Sequence, residues 1–278
     1  MTRVAAIDLG TNTTRLLVAD VRDGTVEAIV RRGVVTGLGE GVDRRRILQP
    51  AAIDRVFAVL AEFRAEADAL GVERALAVGT SAVRDARNGA GFLSEIEQRF
   101  RCSARVASGS AEAELNRRGI GPLPATTLVL DVGGGSTELV LGESRTSLDV
   151  GSVRLTERHL RSDPPTRGEL ADAAAQVRAL LPDLEPEAAI GVAGTVAQLE
   201  RLLGRIALPE VDAELERLAS LPLASRRHVP RLDPDRAPTI VAGTVIVAEV
   251  LRRYALPELV FSVRDLLDGI ALEAASGE

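Results

Sequence analysis

The chain has 278 residues, 46% of them hydrophobic and 27% charged, so it can bury a substantial core as one large domain or two moderate ones. Its net charge of −6 argues against broad, non-specific binding to nucleic acid, and no stretch approaches the ~18 apolar residues that span a bilayer. The single Cys102 excludes an internal disulfide and is typical of a reducing compartment, so we expect a cytoplasmic protein with no membrane partner.

All 34 basic residues are arginine, and the sequence contains no lysine. This composition excludes nucleotide-binding enzymes that depend on a P-loop lysine. Any anion that the chain binds must be held by guanidinium groups, backbone N–H groups or a metal ion.

The first part of the chain alternates strands and helices. Strands are predicted at residues 4–9, 13–20, 25–35, 74–80 and 102–108. Helices are predicted at 48–71, 81–88, about 90–100 and 110–119, with Ser81 and Ser110 as N-caps and Gly119 as a stop. The Pro/Gly-rich stretch 121–127 marks a boundary, which predicts two domains at 1–121 and 122–278.

The second part shows the same alternation. Strands are predicted at 128–132, 137–141, 144–151, 188–192 and 258–263, the fourth running into a glycine turn at 193–195. Helices are predicted at 152–161, 166–181, 196–204, most of 211–253 with breaks around 221–235, and 264–276; the last could pack on the first domain. Strands and helices that alternate throughout indicate an α/β fold.

One segment is repeated. Residues 6–18 (AIDLGTNTTRLLV) align without a gap on residues 129–141 (VLDVGGGSTELVL), so that Asp8 matches Asp131. The repeat implies two similarly built halves. Glycine-rich turns let backbone N–H groups approach an anion, and the adjacent carboxylate suits a hydrated Mg²⁺ that bridges to a phosphate. A plain glycine-rich hairpin is the alternative, and two copies at matching offsets disfavour it.

These blocks resemble the exopolyphosphatase/guanosine pentaphosphate phosphohydrolase family. The resemblance rests on AAIDLGTNTTRLLVAD, GTSAVRDARN, SGSAEAEL, LVLDVGGGSTELVLG, VGSVRLTE, GVAGTVAQL and PTIVAGTVIVAEVL, and it runs from about residue 4 to 272. It is a resemblance to the short, two-domain members. It implies two actin-like domains, as in sugar kinases and heat-shock ATPases (a ribonuclease H-like architecture), with the site in the interdomain cleft.

The resemblance also implies roles for residues. The family hydrolyses a terminal phosphoanhydride with Mg²⁺, and Glu112 aligns with its general base. Asp8, Asp131 and Glu138 would bind Mg²⁺ or position water. The implied phosphate contacts are Thr11, Asn12, Thr13, Arg84, Gly133, Gly134, Gly135, Ser136, Thr137, Gly194 and Thr195.

Several charged residues also have a structural interpretation that involves no ligand. Glu112 could lie on a solvated helix face, and Glu138 could face outward from an alternating strand. Arg84 could pair with Asp85 on the surface. Arg15 is expected to form a structural ion pair rather than a phosphate contact.

The leading functional hypothesis is an exopolyphosphatase acting on inorganic polyphosphate. Hydrolysis of guanosine pentaphosphate, the stringent-response alarmone, is a close alternative, and a catalytically silent sensor of polyphosphate or guanosine penta- or tetraphosphate is another. An actin-like kinase or ATPase is disfavoured by the glutamate segment. Two departures from the family pattern are Gly37, where an arginine is expected, and Ala111, where a second glutamate is common. Family members often form homodimers.

Overall fold

The computed structural model describes residues 1–277, which form two compact units. Unit 1 combines Met1–Pro122 with the C-terminal segment that begins at Arg264, and unit 2 is Leu123–Val263. None of the helices in residues 1–277 has the length and apolar character that a bilayer crossing requires.

The strands are β1 Thr2–Leu9, β2 Thr13–Arg22, β3 Thr25–Val35, β4 Arg74–Gly79, β5 Ser103–Val106, β6 Thr127–Val132, β7 Thr137–Leu141, β8 Ser144–Leu148, β9 Ala188–Val192, β10 Ile206–Ala207 and β11 Glu258–Phe261. The helices are α1 Val42–Arg45, α2 Pro50–Ala69, α3 Ser81–Asp85, α4 Gly89–Phe100, α5 Gly109–Ile120, α6 Ser152–His159, α7 Arg167–Leu180, α8 Ala193–Leu203, α9 Leu208–Ala219, α10 Leu223–Arg226, α11 Ile240–Arg253 and α12 Leu266–Ser276. The predicted α/β class is confirmed.

The sheet of unit 1 has the order β3-β2-β1-β4-β5 and is covered on both faces. Alternate residues of β1 enter different cores: Val4 and Ala6 pack with α5 and α12, whereas Ile7 and Leu9 pack with α2 and α4. Strands β1, β4 and β5 run parallel, so their carboxyl ends share one edge of the sheet. Ligands of open α/β sheets bind outside that edge.

The sheet of unit 2 has the order β10-β11-β9-β6-β7-β8, and β6 lies at its centre between parallel β9 and antiparallel β7. Helix α11 packs on this unit's core and is buried at every position from 240 to 251. A helix that is apolar on all sides belongs inside a protein rather than on its surface.

The break predicted around 221–235, between the helices of 211–253, is confirmed, because only the short helix α10 and an irregular segment lie between α9 and α11. Helix α9 begins earlier, at Leu208, directly after the unpredicted strand β10, and residues 227–239 form an irregular segment. The buried guanidinium of Arg226 orders this segment because it donates to the carbonyls of Leu218, Leu221 and Ala237.

Helix α5 corrects two predicted boundaries. Its N-cap is Ser108, whose hydroxyl accepts from the backbone N–H of Ala111, and not Ser110. Gly119 does not stop the helix, which continues to Ile120 and ends at Gly121. Similarly, Ser81 is the first residue of α3 and not its cap.

Gly119 lies inside α5 because α12 crosses there. A Cβ atom on Gly119 would lie 2.0 Å from the Asp265 carbonyl oxygen, and one on Gly269 would lie 2.1 Å from that of Leu115. Two glycines on facing helices therefore let the α5 and α12 backbones touch.

We predict that Gly119→Ala lowers the free energy of unfolding by about 1–3 kcal/mol, because the added methyl group must push the α12 backbone away. Urea denaturation would measure the change. The matched control is Gly91→Ala in α4, where a Cβ meets no atom within 4 Å. That substitution should stabilise the protein by up to about 1 kcal/mol through helix propensity. Equal effects of the two substitutions would contradict the close crossing.

Candidate active site

The two copies of the repeated segment have the same turn. In unit 1 the Gly10 N–H donates to the Thr13 carbonyl oxygen at 3.2 Å, and in unit 2 the Gly133 N–H donates to that of Ser136 at 3.1 Å. These bonds join equivalent positions of the alignment. The predicted repeat of strand, tight turn and strand is therefore confirmed.

In unit 1 the loop's carbonyl groups are bonded to the segment after β3. The Asn12 carbonyl oxygen accepts from the N–H groups of Thr36 and Gly37, each at 3.0 Å, and the Thr11 carbonyl accepts from Gly39 at 2.7 Å. By contrast, the N–H groups of Thr11 and Asn12 have no acceptor within residues 1–277. These two donors are available to an anion.

The loop of unit 2 repeats this arrangement. The Gly134 carbonyl oxygen accepts from the N–H groups of Val153 and Arg154 at 2.8 and 3.1 Å. A Cβ on Gly151 would lie 2.5 Å from the Gly134 carbonyl carbon, so only glycine permits this approach. The N–H groups of Gly134 and Gly135 also lack an acceptor in the described part of the chain.

The polar side chains of the two loops that are predicted to contact phosphate differ in whether they already have a hydrogen-bond partner. The Thr11 hydroxyl accepts from the Ala82 N–H at 3.2 Å, and the fully buried Thr137 hydroxyl donates to the Val150 carbonyl at 2.6 Å, so both have structural bonds. The side chains of Asn12 and Ser136 have no partner within residues 1–277 and are free for a ligand. Thr13 is buried.

Asp8 is the penultimate residue of β1 and is 5% exposed. Its Oδ2 accepts from Arg15 Nε at 2.8 Å, whereas its Oδ1 is buried without a hydrogen-bond partner among the described residues. Burial raises the pKa of the Asp8 carboxyl above its usual range, and the charge of Arg15 offsets this only in part. A buried carboxylate oxygen without a donor is the kind of group that a hydrated Mg²⁺ satisfies.

Arg15 forms the ion pair expected of it and extends it into a network. Its guanidinium bridges Asp8 and Asp265, the N-cap of α12, and Arg31 bonds Asp268 at 2.7 Å from the neighbouring strand. Asp8 is thus fixed by a helix about 250 residues away in sequence.

Asp131 and Glu138 lie opposite each other in the register of β6 and β7. Both are buried, at 6% and 3% exposure, so the outward-facing interpretation of Glu138 is wrong. Ser147 donates to the Glu138 carboxylate at 2.8 Å. The pair occupies the positions that Asp8 and Arg15 occupy in unit 1.

Glu112 and Arg84 are brought together by the carboxyl ends of β5 and β4. Glu112 lies in the first turn of α5, is 5% exposed, and forms an ion pair with Arg84 Nη1. The same nitrogen donates to the Ala107 carbonyl at 2.8 Å. The solvated-face interpretation of Glu112 is therefore wrong, as is pairing of Arg84 with Asp85.

Only one nitrogen of the Arg84 guanidinium, Nη1, forms hydrogen bonds with the described residues. Its Nε and Nη2 donate to no acceptor in residues 1–277. A planar guanidinium with two free N–H directions suits two oxygens of one phosphoryl group.

Gly194 and Thr195 lie within α8 and not in a turn. The helix begins directly after β9, with Ala193 in a left-handed conformation at φ 64°. The guanidinium of Arg236 covers Gly194, because a Cβ there would lie 2.2 Å from Nη1. Sequence analysis missed Arg236, as well as the buried Arg154 beside the second loop.

The described residues offer few groups of acidic side chains for a metal ion. Residues 1–277 contain no cluster of three or more His, Cys, Asp or Glu side chains that could hold a metal ion. Mg²⁺ sites often use only one or two carboxylates and complete the shell with water and phosphate.

Beside Gly37, the Arg55 guanidinium donates to the Thr36 carbonyl at 2.6 Å, so a cation is present where the expected arginine is missing.

Comparisons with known proteins agree over the whole chain. The Ppx/GppA phosphatase family matches residues 17–277. The chain is 36% identical to Exopolyphosphatase 2 of Mycobacterium tuberculosis over 316 aligned positions, which cover 99% of both chains. A solved structure described as an exopolyphosphatase-like protein superimposes with a TM-score of 0.91 at 30% identity over 99% of both chains. The Aquifex aeolicus Ppx/GppA family member gives 0.76 at 26% identity, covering 99% of this chain and 98% of that one. The expected actin-like fold is confirmed, and the chain belongs to the Ppx/GppA phosphatase family.

Proposed function

We propose that the protein is a Mg²⁺-dependent exopolyphosphatase that releases the terminal orthophosphate of inorganic polyphosphate by attack of water. The observation that carries the proposal is the ion pair of the buried Glu112 with the partly buried Arg84, because it joins a carboxylate to a guanidinium with two free donor nitrogens. The name of the mycobacterial relative supports polyphosphate as the substrate.

In unit 1, some residues bind the phosphate and one acts as the general base. Arg84 Nε and Nη2 bind oxygens of the terminal phosphoryl group, and the free N–H groups of Thr11 and Asn12 bind further phosphate oxygens. Glu112 orients the attacking water and accepts its proton. Because Glu112 bonds the guanidinium that holds the phosphoryl group, the base is fixed relative to the phosphorus atom.

In unit 2, the free N–H groups of Gly134 and Gly135 and the Ser136 hydroxyl bind phosphate oxygens. Gly194 and Thr195 contribute through the start of α8, where Arg236 supplies the positive charge. We do not propose a phosphate contact for the Thr137 hydroxyl, because that hydroxyl donates to the Val150 carbonyl. Thr137 contributes only as a residue at the end of the second loop.

In unit 1, Asp8 would help to hold Mg²⁺ through Oδ1, which has no hydrogen-bond partner among the described residues. In unit 2, Asp131 and Glu138 are the corresponding carboxylates proposed to bind Mg²⁺. Bound Mg²⁺ would supply positive charge against the phosphate oxygens as the bond to the leaving group breaks.

The test is orthophosphate release in the presence of Mg²⁺ from tripolyphosphate, long-chain polyphosphate, guanosine pentaphosphate and ATP. Release from both polyphosphates and not from ATP supports the proposal. Release from guanosine pentaphosphate alone assigns the protein to the nucleotide branch of its family. Binding of polyphosphate without release from any substrate indicates a sensor and overturns the proposal.

We predict that Arg84→Lys lowers kcat/KM by about 10- to 100-fold, because an ammonium group cannot hold Glu112, the Ala107 carbonyl and two phosphate oxygens together. Steady-state kinetics on tripolyphosphate would measure it. Arg99→Lys, which alters a surface pair with Glu95, is the matched control and should leave kcat/KM unchanged. If both variants keep full activity, Arg84 is not in the site.

A further inference from the structure

Residues 149–154, which connect β8 to α6, pack against the backbone of the second loop. The N–H groups of Val153 and Arg154 donate to the Gly134 carbonyl oxygen at 2.8 and 3.1 Å. Gly151 lies so close that a Cβ atom on it would be 2.6 Å from the same oxygen. We name residues 149–154 the clamp segment, because they fix the loop's peptide groups by hydrogen bonds and by direct contact.

An ion pair joins the first and last residues of the clamp segment. Arg154 Nη1 pairs with Asp149 Oδ1. The Arg154 side chain is 4% exposed, whereas that of Asp149 is 61% exposed. Arg158 also bonds Asp149, at 3.1 Å, but it lies one turn further along α6 and outside the clamp segment. The pair of Asp149 and Arg154 therefore closes the clamp segment at its ends.

Unit 1 has a corresponding arrangement around its own loop. The Gly39 N–H donates to the Thr11 carbonyl, and a Cβ atom on Gly39 would lie 3.1 Å from that oxygen. Thr11 and Gly134 are equivalent positions of the repeat. An arginine holds this segment too, because Arg55 donates to the Thr36 carbonyl at 2.6 Å. The two halves of the protein thus fix their glycine turns in the same way.

Stability does not explain a buried arginine at this place. Removing a guanidinium from water costs free energy, and an ion pair formed there is weak evidence for net stabilisation. What the pair of Arg154 and Asp149 does provide is a fixed geometry. Peptide N–H groups bind an anion well only when they are already aimed at it, since reorienting them on binding costs affinity.

We propose that Arg154 is a positioning residue, which through its ion pair with Asp149 keeps the N–H groups of Gly134 and Gly135 aimed at phosphate. The inference rests on the proposed function, in which these two N–H groups bind the substrate. Arg154 acts on the loop and not on the reacting atoms. Its loss should therefore weaken substrate binding and leave the chemical step unchanged.

The first test is the variant Arg154→Met, assayed on tripolyphosphate with Mg²⁺. We expect KM to rise about tenfold, the effect of losing one hydrogen bond to a charged group. The value of kcat should stay within about twofold, because Glu112 and Arg84 belong to unit 1 and are untouched. The matched control is Arg158→Met, which removes an arginine with the same partner from the same helix and should keep KM within about twofold.

Substitutions of Asp149 distinguish positioning from a general structural role. Asp149→Asn should raise KM as much as Arg154→Met does. Asp149→Glu should keep the native KM, because it retains the carboxylate at an exposed position with room for a longer side chain. The double variant Arg154→Met/Asp149→Asn should have a KM no higher than either single variant, since both substitutions open the same pair.

The dissociation constant of tripolyphosphate, measured by calorimetry, provides a readout without turnover. If the native protein binds tripolyphosphate but hydrolyses no polyphosphate, the proposed function fails and these constants still test the clamp segment. A native protein that does not bind tripolyphosphate contradicts both proposals.

For an active native protein, three results would overturn the role of Arg154 alone. The first is a native KM and dissociation constant in Arg154→Met, or a fall in kcat at unchanged KM. The second is an equal rise of KM in Arg158→Met. The third is a double variant whose rise in KM is the product of the two single effects, because Arg154 and Asp149 would then act independently.

Discussion

We expect Glu112→Gln to lower kcat for orthophosphate release from polyphosphate by about 10²- to 10⁴-fold, the range that one general base contributes. The amide keeps the size of the carboxyl group and can still accept from Arg84, so the substrate site stays formed and KM changes little. An interaction needed only in the transition state affects kcat and leaves ground-state binding intact. Steady-state kinetics and direct binding of polyphosphate to the variant would measure both quantities.

Glu114→Gln is the matched control for this substitution. Glu114 lies two residues further along the same helix and pairs with Arg117 at 2.7 Å. Its loss removes the same charge and should leave kcat within about twofold, as expected for a surface pair. A Glu112→Gln variant that retains the native kcat would remove Glu112 from catalysis.

Asp8→Asn should separate activity from stability. We expect kcat to fall about 10²- to 10³-fold, the cost of removing one preorganised electrostatic group from an active site. The Tm should rise, because the buried carboxylate costs folding free energy that a neutral amide avoids. Added Mg²⁺ should raise the Tm of the native protein, and this shift should shrink in the variant.

The effect of Asp8→Asn on the Tm should depend on pH in a direction that the pKa of Asp8 determines. Burial raises the folded-state pKa of Asp8, so its contribution to stability is complete below the unfolded pKa and is lost as the pH rises through the folded pKa. The Tm advantage of Asp8→Asn should therefore grow as the pH rises through that range. Thermal melts at several pH values would measure it.

Asp20→Asn provides a control of the opposite sign. Asp20 lies on β2 and bonds Arg3 at 2.7 and 2.8 Å, and this hydrogen bonding lowers the pKa of its carboxyl. Its replacement should lower the Tm above the unfolded pKa of Asp20 and leave kcat unchanged. If Asp8→Asn also lowers the Tm, Asp8 is a structural ion pair and not a strained functional carboxylate.

The sequence predicts local features of this protein well. The repeat identifies both glycine turns, because a glycine turn between two apolar runs depends only on neighbouring residues. The order of strands and helices follows from periodicity. The predicted boundaries of α5 fail for two reasons. Ser108 and Ser110 lie two residues apart and either could cap the helix, and Gly119, which permits the helix crossing, resembles a helix stop in the sequence.

Contacts between distant segments are not accessible in this way. Glu112 and Arg84 were expected to have separate roles, and only the parallel order of β4 and β5 shows that they form a pair. The bridge from Asp8 through Arg15 to Asp265 joins residues from both ends of the chain. Arg236 beside Gly194 likewise depends on the irregular segment before α11.

The return of α12 to unit 1 has a consequence for synthesis on the ribosome. Unit 2 is one continuous segment and can fold as soon as it emerges. Unit 1 begins first, and Arg15 can pair with Asp8 early, but Arg15 lacks its second partner until Asp265 is made, at a sequence separation of 250 residues. The nascent chain therefore carries Asp8 and Arg15 without their link to α12 while the whole of unit 2 is made.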